Sequence, residues 1–75
     1  MTNVLKVNNY FKSANKADVD EILARIILSE RQIKIFDMFY LKRQNVNFIA
    51  DTLFVSPAVI NRELKIIRAK ISLII

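Results

Sequence analysis

The sequence predicts an all-α domain of four to five helices, and three observations support that prediction. Apolar residues recur at helical spacing along most of the chain, cap-forming residues separate the apolar stripes, and the 75 residues contain no glycine and one proline. β-Hairpins and glycine-rich phosphate loops need positive φ, which glycine adopts most easily, so both are disfavoured. At this length we expect residues 1–75 to form a single domain.

Residues 1–27 are predicted to form two N-terminal helices. Val4, Val7 and Phe11 have the spacing of a short first helix, which a polar break over residues 13–16 ends. The second helix is predicted over residues 17–27, with acidic residues near its start, where they suit the helix dipole. Its apolar stripe consists of Val19, Ile22, Leu23, Ile26 and Ile27.

A third helix is predicted from Glu30 to Leu41 or Lys42. Ser29 and Gln32 have the spacing of a capping box, in which each side chain bonds the other residue's backbone N–H. Leu28 and Ile33 stand on either side of that box and are placed to form a hydrophobic staple.

The last two helices are predicted to form a helix-turn-helix. Asn45 is placed to cap a short fourth helix, and Ser56 followed by Pro57 is a strong start signal for a helix over about residues 57–71. Ala50 is small enough to let the second helix cross the first closely. The facing sides carry apolar residues: Ile49, Leu53, Val55, Ile60 and Leu64.

Three motifs within residues 28–71 resemble region 4 of bacterial sigma-70 family factors and the related response-regulator DNA-binding domains. They are Leu28-Ser29-Glu30-Arg31-Gln32, Ile49-Ala50-Asp51-Thr52-Leu53, and a serine cap before the last helix. The resemblance implies that residues 28–75 read promoter DNA, with helix 57–71 in the major groove, and that they contact RNA polymerase. By position, it implies that the DNA-facing residues are Ser56, Ala58, Val59, Asn61, Arg62 and Lys65.

The net charge of the chain also favours a nucleic-acid partner. The formal net charge of +5 favours an anionic partner, nucleic acid before an anionic membrane. We expect Asn61 to pair with adenine and Arg62 with guanine, while Lys65 and Arg68 meet phosphates. The resemblance places a further set near the DNA backbone, at the start of the helix-turn-helix: Lys42, Arg43 and Asn47.

The chain departs from the family pattern at three positions. Phe54 stands where the turn usually has glycine, so we expect strained backbone or a different turn there. Phe48 replaces a usual glutamate, and Glu63 stands where a basic residue is common. If the turn is exposed, Phe54 is a candidate protein contact.

The last helix has a second apolar row beside its core row. The core row is Ile60, Leu64, Ile67 and Ile71, and the second row is Val59, Ile66, Leu73 and Ile74. One small domain rarely buries both rows. Either the second row forms a homodimer or partner interface, with Ile66, Leu73 and Ile74 as the contacts, or the N-terminal helix covers it.

Composition argues against several other classes. The sequence has no cysteine and no histidine, so disulfides, zinc fingers and histidine or cysteine catalysis are excluded, and we expect neither an enzyme nor a metal or cofactor. No signal peptide or membrane span is expected, which favours a cytoplasmic protein. The abundant Asn, Lys and Ile suit an AT-rich bacterial or bacteriophage genome. The alternative function is an adaptor or inhibitor that binds RNA polymerase, a sigma or anti-sigma protein, or a host defence protein.

Overall fold

A computed structural model describes residues 3–75, and within that range the chain is all-helical, as predicted. The five α-helices are α1 (Asn3–Ser13), α2 (Lys16–Arg25), α3 (Glu30–Phe36), α4 (Val46–Leu53) and α5 (Pro57–Ser72), and a π-helical segment, Asp37–Leu41, continues α3. The side chain of Val4 lies outside the described part. The last helix ends within one residue of its predicted end.

The central element is α5, which packs against α1, α3 and α4. The predicted core row of α5 is confirmed, since Ile60, Leu64, Ile67 and Ile71 are all buried. The first helix adds Val7 to the same core. The other buried apolar residues come from α2, α3 and α4: Val19, Ile22, Ile35, Phe36, Ile49 and Ala50.

The second helix is shifted from its predicted bounds of 17–27. Asn15 and Asp18 form a capping box, in which Asp18 N–H donates to Asn15 Oδ1 at 2.9 Å and Asn15 N–H donates to Asp18 Oδ2 at 3.1 Å. The helix ends at Arg25, because Ile26 is extended with φ −113° and ψ 151°. Placing Ile27 in the apolar stripe was therefore wrong, and this residue is 87% exposed.

The third helix begins as predicted and then changes type. Ser29 and Gln32 form both bonds of the capping box, at 3.2 and 3.0 Å. From Asp37 the turn widens, so that the Lys42 N–H bonds the Asp37 carbonyl, five residues back. The helix as a whole runs from Glu30 to Leu41, as predicted, but its last five residues are π-helical and not α-helical. Within the π-helical segment, Met38, Phe39 and Tyr40 are partly buried.

Both turns that flank α4 use left-handed backbone without glycine. Arg43 has φ 55° and Phe54 has φ 58°. At Phe54 the bonds are those of a Schellman motif: Val55 N–H donates to Ala50 O at 3.0 Å, and Phe54 N–H donates to Asp51 O at 3.4 Å. The left-handed conformation costs a residue with a Cβ roughly 1–2 kcal/mol. The strain expected at Phe54 is therefore present.

Candidate nucleic-acid interface

Local hydrogen bonds fix where α4 and α5 begin. Phe48 N–H donates to Asn45 Oδ1 at 2.8 Å, and Val59 N–H donates to Ser56 Oγ at 3.4 Å. Pro57 occupies the first turn of α5, where backbone N–H groups have no partner within the helix, so the lack of an N–H in proline costs no helical hydrogen bond. Residues 54–56 are thus the whole connection between the two helices, and both predicted caps are confirmed.

The packing of α4 on α5 fixes the rotation of α5 about its own axis. Ile49 and Ala50 of α4 lie in the same buried cluster as Ile60 and Leu64 of α5. With those positions turned inward, the 3.6-residue period turns a different set toward solvent. We name the exposed set Ala58, Asn61, Arg62 and Lys65 the α5 stripe.

The polar side chains of the α5 stripe are free of internal partners. Asn61, Arg62 and Lys65 make no hydrogen bond or ion pair with any other described residue. A helix face whose donors are already committed within the fold could not read another molecule. This face keeps an amide, a guanidinium and an ammonium available within two helical turns.

Glu63, which departs from the family pattern, does not belong to the stripe. At about 100° per residue it lies about 160° around the helix from both Asn61 and Lys65. It is partly buried, and within residues 5–75 it has no ion-pair partner. Its charge is therefore directed away from the surface that the stripe presents.

Arg68 was predicted together with Lys65 to contact phosphates, but it differs from Lys65 in burial and in its contacts. It is partly buried, its Nε donates to Tyr40 Oη at 2.9 Å, and its guanidinium carbon lies 5.6 Å from the centre of the Phe39 ring. Unlike the side chains of the α5 stripe, the Arg68 side chain therefore already has partners within the fold. Val59 is also partly buried.

The residues expected near the DNA backbone are exposed around the start of α4. Arg43 and Asn47 are exposed, as is Ser56 at the start of α5. Lys42 Nζ lies 3.5 Å from Asp37 Oδ2, in a pair whose side chains are 61% and 44% exposed. Such an exposed ion pair contributes little to stability.

The residues expected to contact a protein divide into two groups. Phe54 is 93% exposed, Leu73 85% and Ile66 39%, whereas Ile74 is partly buried against the core. Ile27, which was predicted to lie in the buried apolar stripe of the second helix, is a further exposed apolar side chain. Lys70 Nζ bonds the Ile27 carbonyl oxygen at 2.6 Å, and no local sequence signal marks a contact between residues so far apart.

Within residues 3–75 no group of three acidic, histidine or cysteine residues could hold a metal ion. No helix in that range is long and apolar enough to cross a bilayer. No protein-family model, curated protein or solved structure matches the chain.

Proposed function

We propose that this protein is a small, sequence-specific, double-stranded DNA-binding transcription regulator of bacterial or bacteriophage origin. In this proposal α4 and α5 form a helix-turn-helix similar to sigma-70 region 4, and α5 is the recognition helix. The supporting observation is the α5 stripe, whose polar groups are exposed and lack internal partners. A B-DNA major groove about 12 Å wide accepts one α-helix.

The chemistry of the stripe assigns a role to each member. Asn61 can bond the N6 and N7 atoms of adenine, and Arg62 can bond O6 and N7 of guanine, each through two hydrogen bonds. Lys65, one turn further along, suits a phosphate. Ala58 is small enough to let the start of α5 approach the bases and to contact a thymine methyl group.

The backbone contacts come from the region before α4 and from the turn. Arg43, Asn47 and Ser56 are exposed there, and Lys42 is held only by its exposed pair with Asp37. Phosphate contacts fix the position of a protein on the duplex without reading sequence. Arg68 is left out of this direct set, because Tyr40 and Phe39 hold its guanidinium within the fold.

Selection of duplexes from a random pool at two salt concentrations tests the proposal. We expect an enriched site and an affinity that falls steeply with salt. Arg62→Ala should remove about 1–3 kcal/mol of preference at one base pair, and Asn61→Ala should do so at a neighbouring pair. Lys65→Gln should weaken all sequences alike. The matched control is Arg31→Gln, an exposed arginine at the start of α3.

A protein that ignores duplexes of every sequence at low salt would overturn the proposal. Enrichment that survives both Asn61→Ala and Arg62→Ala would show that another surface reads the bases. Neither substitution should unfold the chain, because both side chains are exposed and without partners. Circular dichroism spectra that match those of the unchanged protein would verify this.

A second candidate function is an adaptor or inhibitor that binds RNA polymerase, a sigma or anti-sigma protein, or a host defence protein. The observation that favours it is the exposure of Phe54 at 93% and of Phe48 at 51%. Aromatic residues are enriched at protein–protein interfaces relative to the rest of the protein surface. Affinity capture from bacterial lysate distinguishes this function, because Phe54→Ser should abolish capture, whereas Arg62→Ala should not.

A homodimer is the third partner proposal, and it uses Ile66 and Leu73. Ile66 is exposed on α5 and Leu73 is exposed directly after it, and Lys70, which lies between them in sequence, bonds the carbonyl oxygen of the exposed Ile27. Sedimentation equilibrium tests this surface directly. A dimer that Leu73→Ser and Ile66→Ser convert to monomer supports the proposal, and a strict monomer at high concentration refutes it.

A further inference from the structure

A groove of about 340 Å³ lies between α1 and the turn that precedes α4. Two cations line it, Lys12 from the end of α1 and Arg43 from the turn. Two amides, Asn8 and Gln44, line it as well, and Phe11 and Tyr40 supply aromatic walls. No carboxylate is among the residues that line the groove.

The charges in this groove lack compensation. Lys12 and Arg43 are exposed, and neither forms an ion pair with another residue of the described chain. Asp37, the acidic residue nearest in sequence to Arg43, is already paired with Lys42. Two like charges at one groove repel each other unless an anion lies between them. The groove is therefore suited to a negatively charged group.

Tyr40, which also lines the groove, carries a hydroxyl group that can donate a hydrogen bond. Its ring packs against the rings of Phe11 and Phe36, with ring centres 4.9 and 5.4 Å away. Its hydroxyl oxygen accepts the bond from Arg68 Nε at 2.9 Å. A phenol has one proton to donate, and because its oxygen is occupied as an acceptor, that proton remains available for a further partner.

Arg68 raises the positive potential behind Tyr40. Its guanidinium is partly buried, and its partners are a neutral hydroxyl and an aromatic ring. No described carboxylate pairs with it. A charge removed from water without a counter-charge is unfavourable, so an anion bound nearby would stabilise it.

We propose that this groove binds a backbone phosphate of the duplex that α5 reads, an inference that rests on the proposed function. Lys12 and Arg43 contact the phosphate directly, and Tyr40 donates its hydroxyl proton to a phosphate oxygen. Arg68 is a positioning residue, which holds and polarises Tyr40. The first helix thereby becomes part of the DNA-binding surface, and Arg43 joins this groove to the contacts at the start of α4.

The salt dependence of duplex binding tests the groove. Each phosphate contact contributes about 0.9 to the slope of log K against log salt. We expect Lys12→Gln and Arg43→Gln each to reduce that slope by about 0.9 and to weaken binding roughly five- to tenfold at 0.1 M salt, for every sequence alike. Arg31→Gln removes the same charge as Arg43→Gln, outside the groove, and should leave the slope nearly unchanged.

Two further variants test the proposed roles of the Tyr40 hydroxyl and of Arg68, which bonds it. Tyr40→Phe keeps the ring and removes the hydroxyl, and we expect it to weaken binding without changing the preferred site. Arg68→Gln should weaken binding in the unchanged protein and have no further effect in the Tyr40→Phe background. A purely structural Arg68 would instead lower thermal stability and leave the binding of folded protein intact.

The outcomes separate this inference from the proposed function. If Lys12→Gln behaves like Arg31→Gln while Arg62→Ala loses its site preference, the groove proposal is overturned and the proposed role of α5 as the recognition helix is unaffected, because Arg43 already belongs to the backbone contacts of the proposed function. If the unchanged protein binds no duplex, both are overturned. If both groove variants reduce the slope and keep the site preference, the groove is part of the interface.

Discussion

Replacing Phe54 by glycine should stabilise the protein, although it removes a large apolar side chain. Phe54 has φ 58° and ψ 42°, and it is 93% exposed. Truncating it therefore sacrifices almost no buried surface. What changes is the backbone energy, because glycine adopts the left-handed conformation without the steric conflict that a Cβ creates.

The expected magnitude follows from two opposing terms. Relief of the left-handed conformation contributes roughly 1–2 kcal/mol. The greater freedom of glycine in the unfolded chain offsets roughly 0.5–1 kcal/mol of this. The difference between these terms is about 0–1.5 kcal/mol, so we expect Phe54→Gly to raise the free energy of unfolding by about 0.75 kcal/mol, which for a domain of this size corresponds to a Tm increase of about 3–6 °C.

Phe54→Ala is the matched control for this experiment. It removes the same aromatic ring but keeps the Cβ, so it should differ little from the unchanged protein. Urea unfolding followed by circular dichroism measures all three proteins, and equal m-values would show that the unfolded states are comparable. The reasoning is refuted if the glycine variant is no more stable than the alanine variant.

Three further predictions concern the helices. Asn45→Ala should destabilise the protein by about 1 kcal/mol in urea unfolding, because it removes the cap on Phe48 N–H, and Asn45→Asp should retain most of that stability. Ile67→Val should cost about 0.5–1.5 kcal/mol by the same measurement, since Ile67 is fully buried, and a neutral result would contradict its place in the core. Glu21→Gln should change stability by less than about 0.5 kcal/mol in thermal melts, because its pair with Arg25 is 66% and 60% exposed; a larger loss would mean that this pair is structural.

Helix starts were predictable because their chemistry is local. Ser29, Asn45 and Ser56 each bond the backbone N–H three residues ahead, so the residue type and the short spacing are enough to locate the cap. The same reasoning could have found Asn15, whose partner Asp18 is also three residues ahead. That stretch was predicted only as a polar break.

The exposed face of α5 was also predictable. Once Ile60, Leu64 and Ile67 are assigned to the core, the helical period places Asn61, Arg62 and Lys65 outside, and no distant contact is needed to reach that result.

The sequence by itself determined the helical class, the cap positions and the inward and outward faces of α5, because each depends on residues within about two helical turns of one another. Tertiary structure alone decided the surroundings of Arg68, Ile74 and Ile27. Arg68 bonds Tyr40 from 28 positions away, and Lys70 bonds the Ile27 carbonyl from 43 positions away. Such contacts depend on how the helices pack against one another. They cannot be predicted from helical periodicity, which relates only residues a few positions apart.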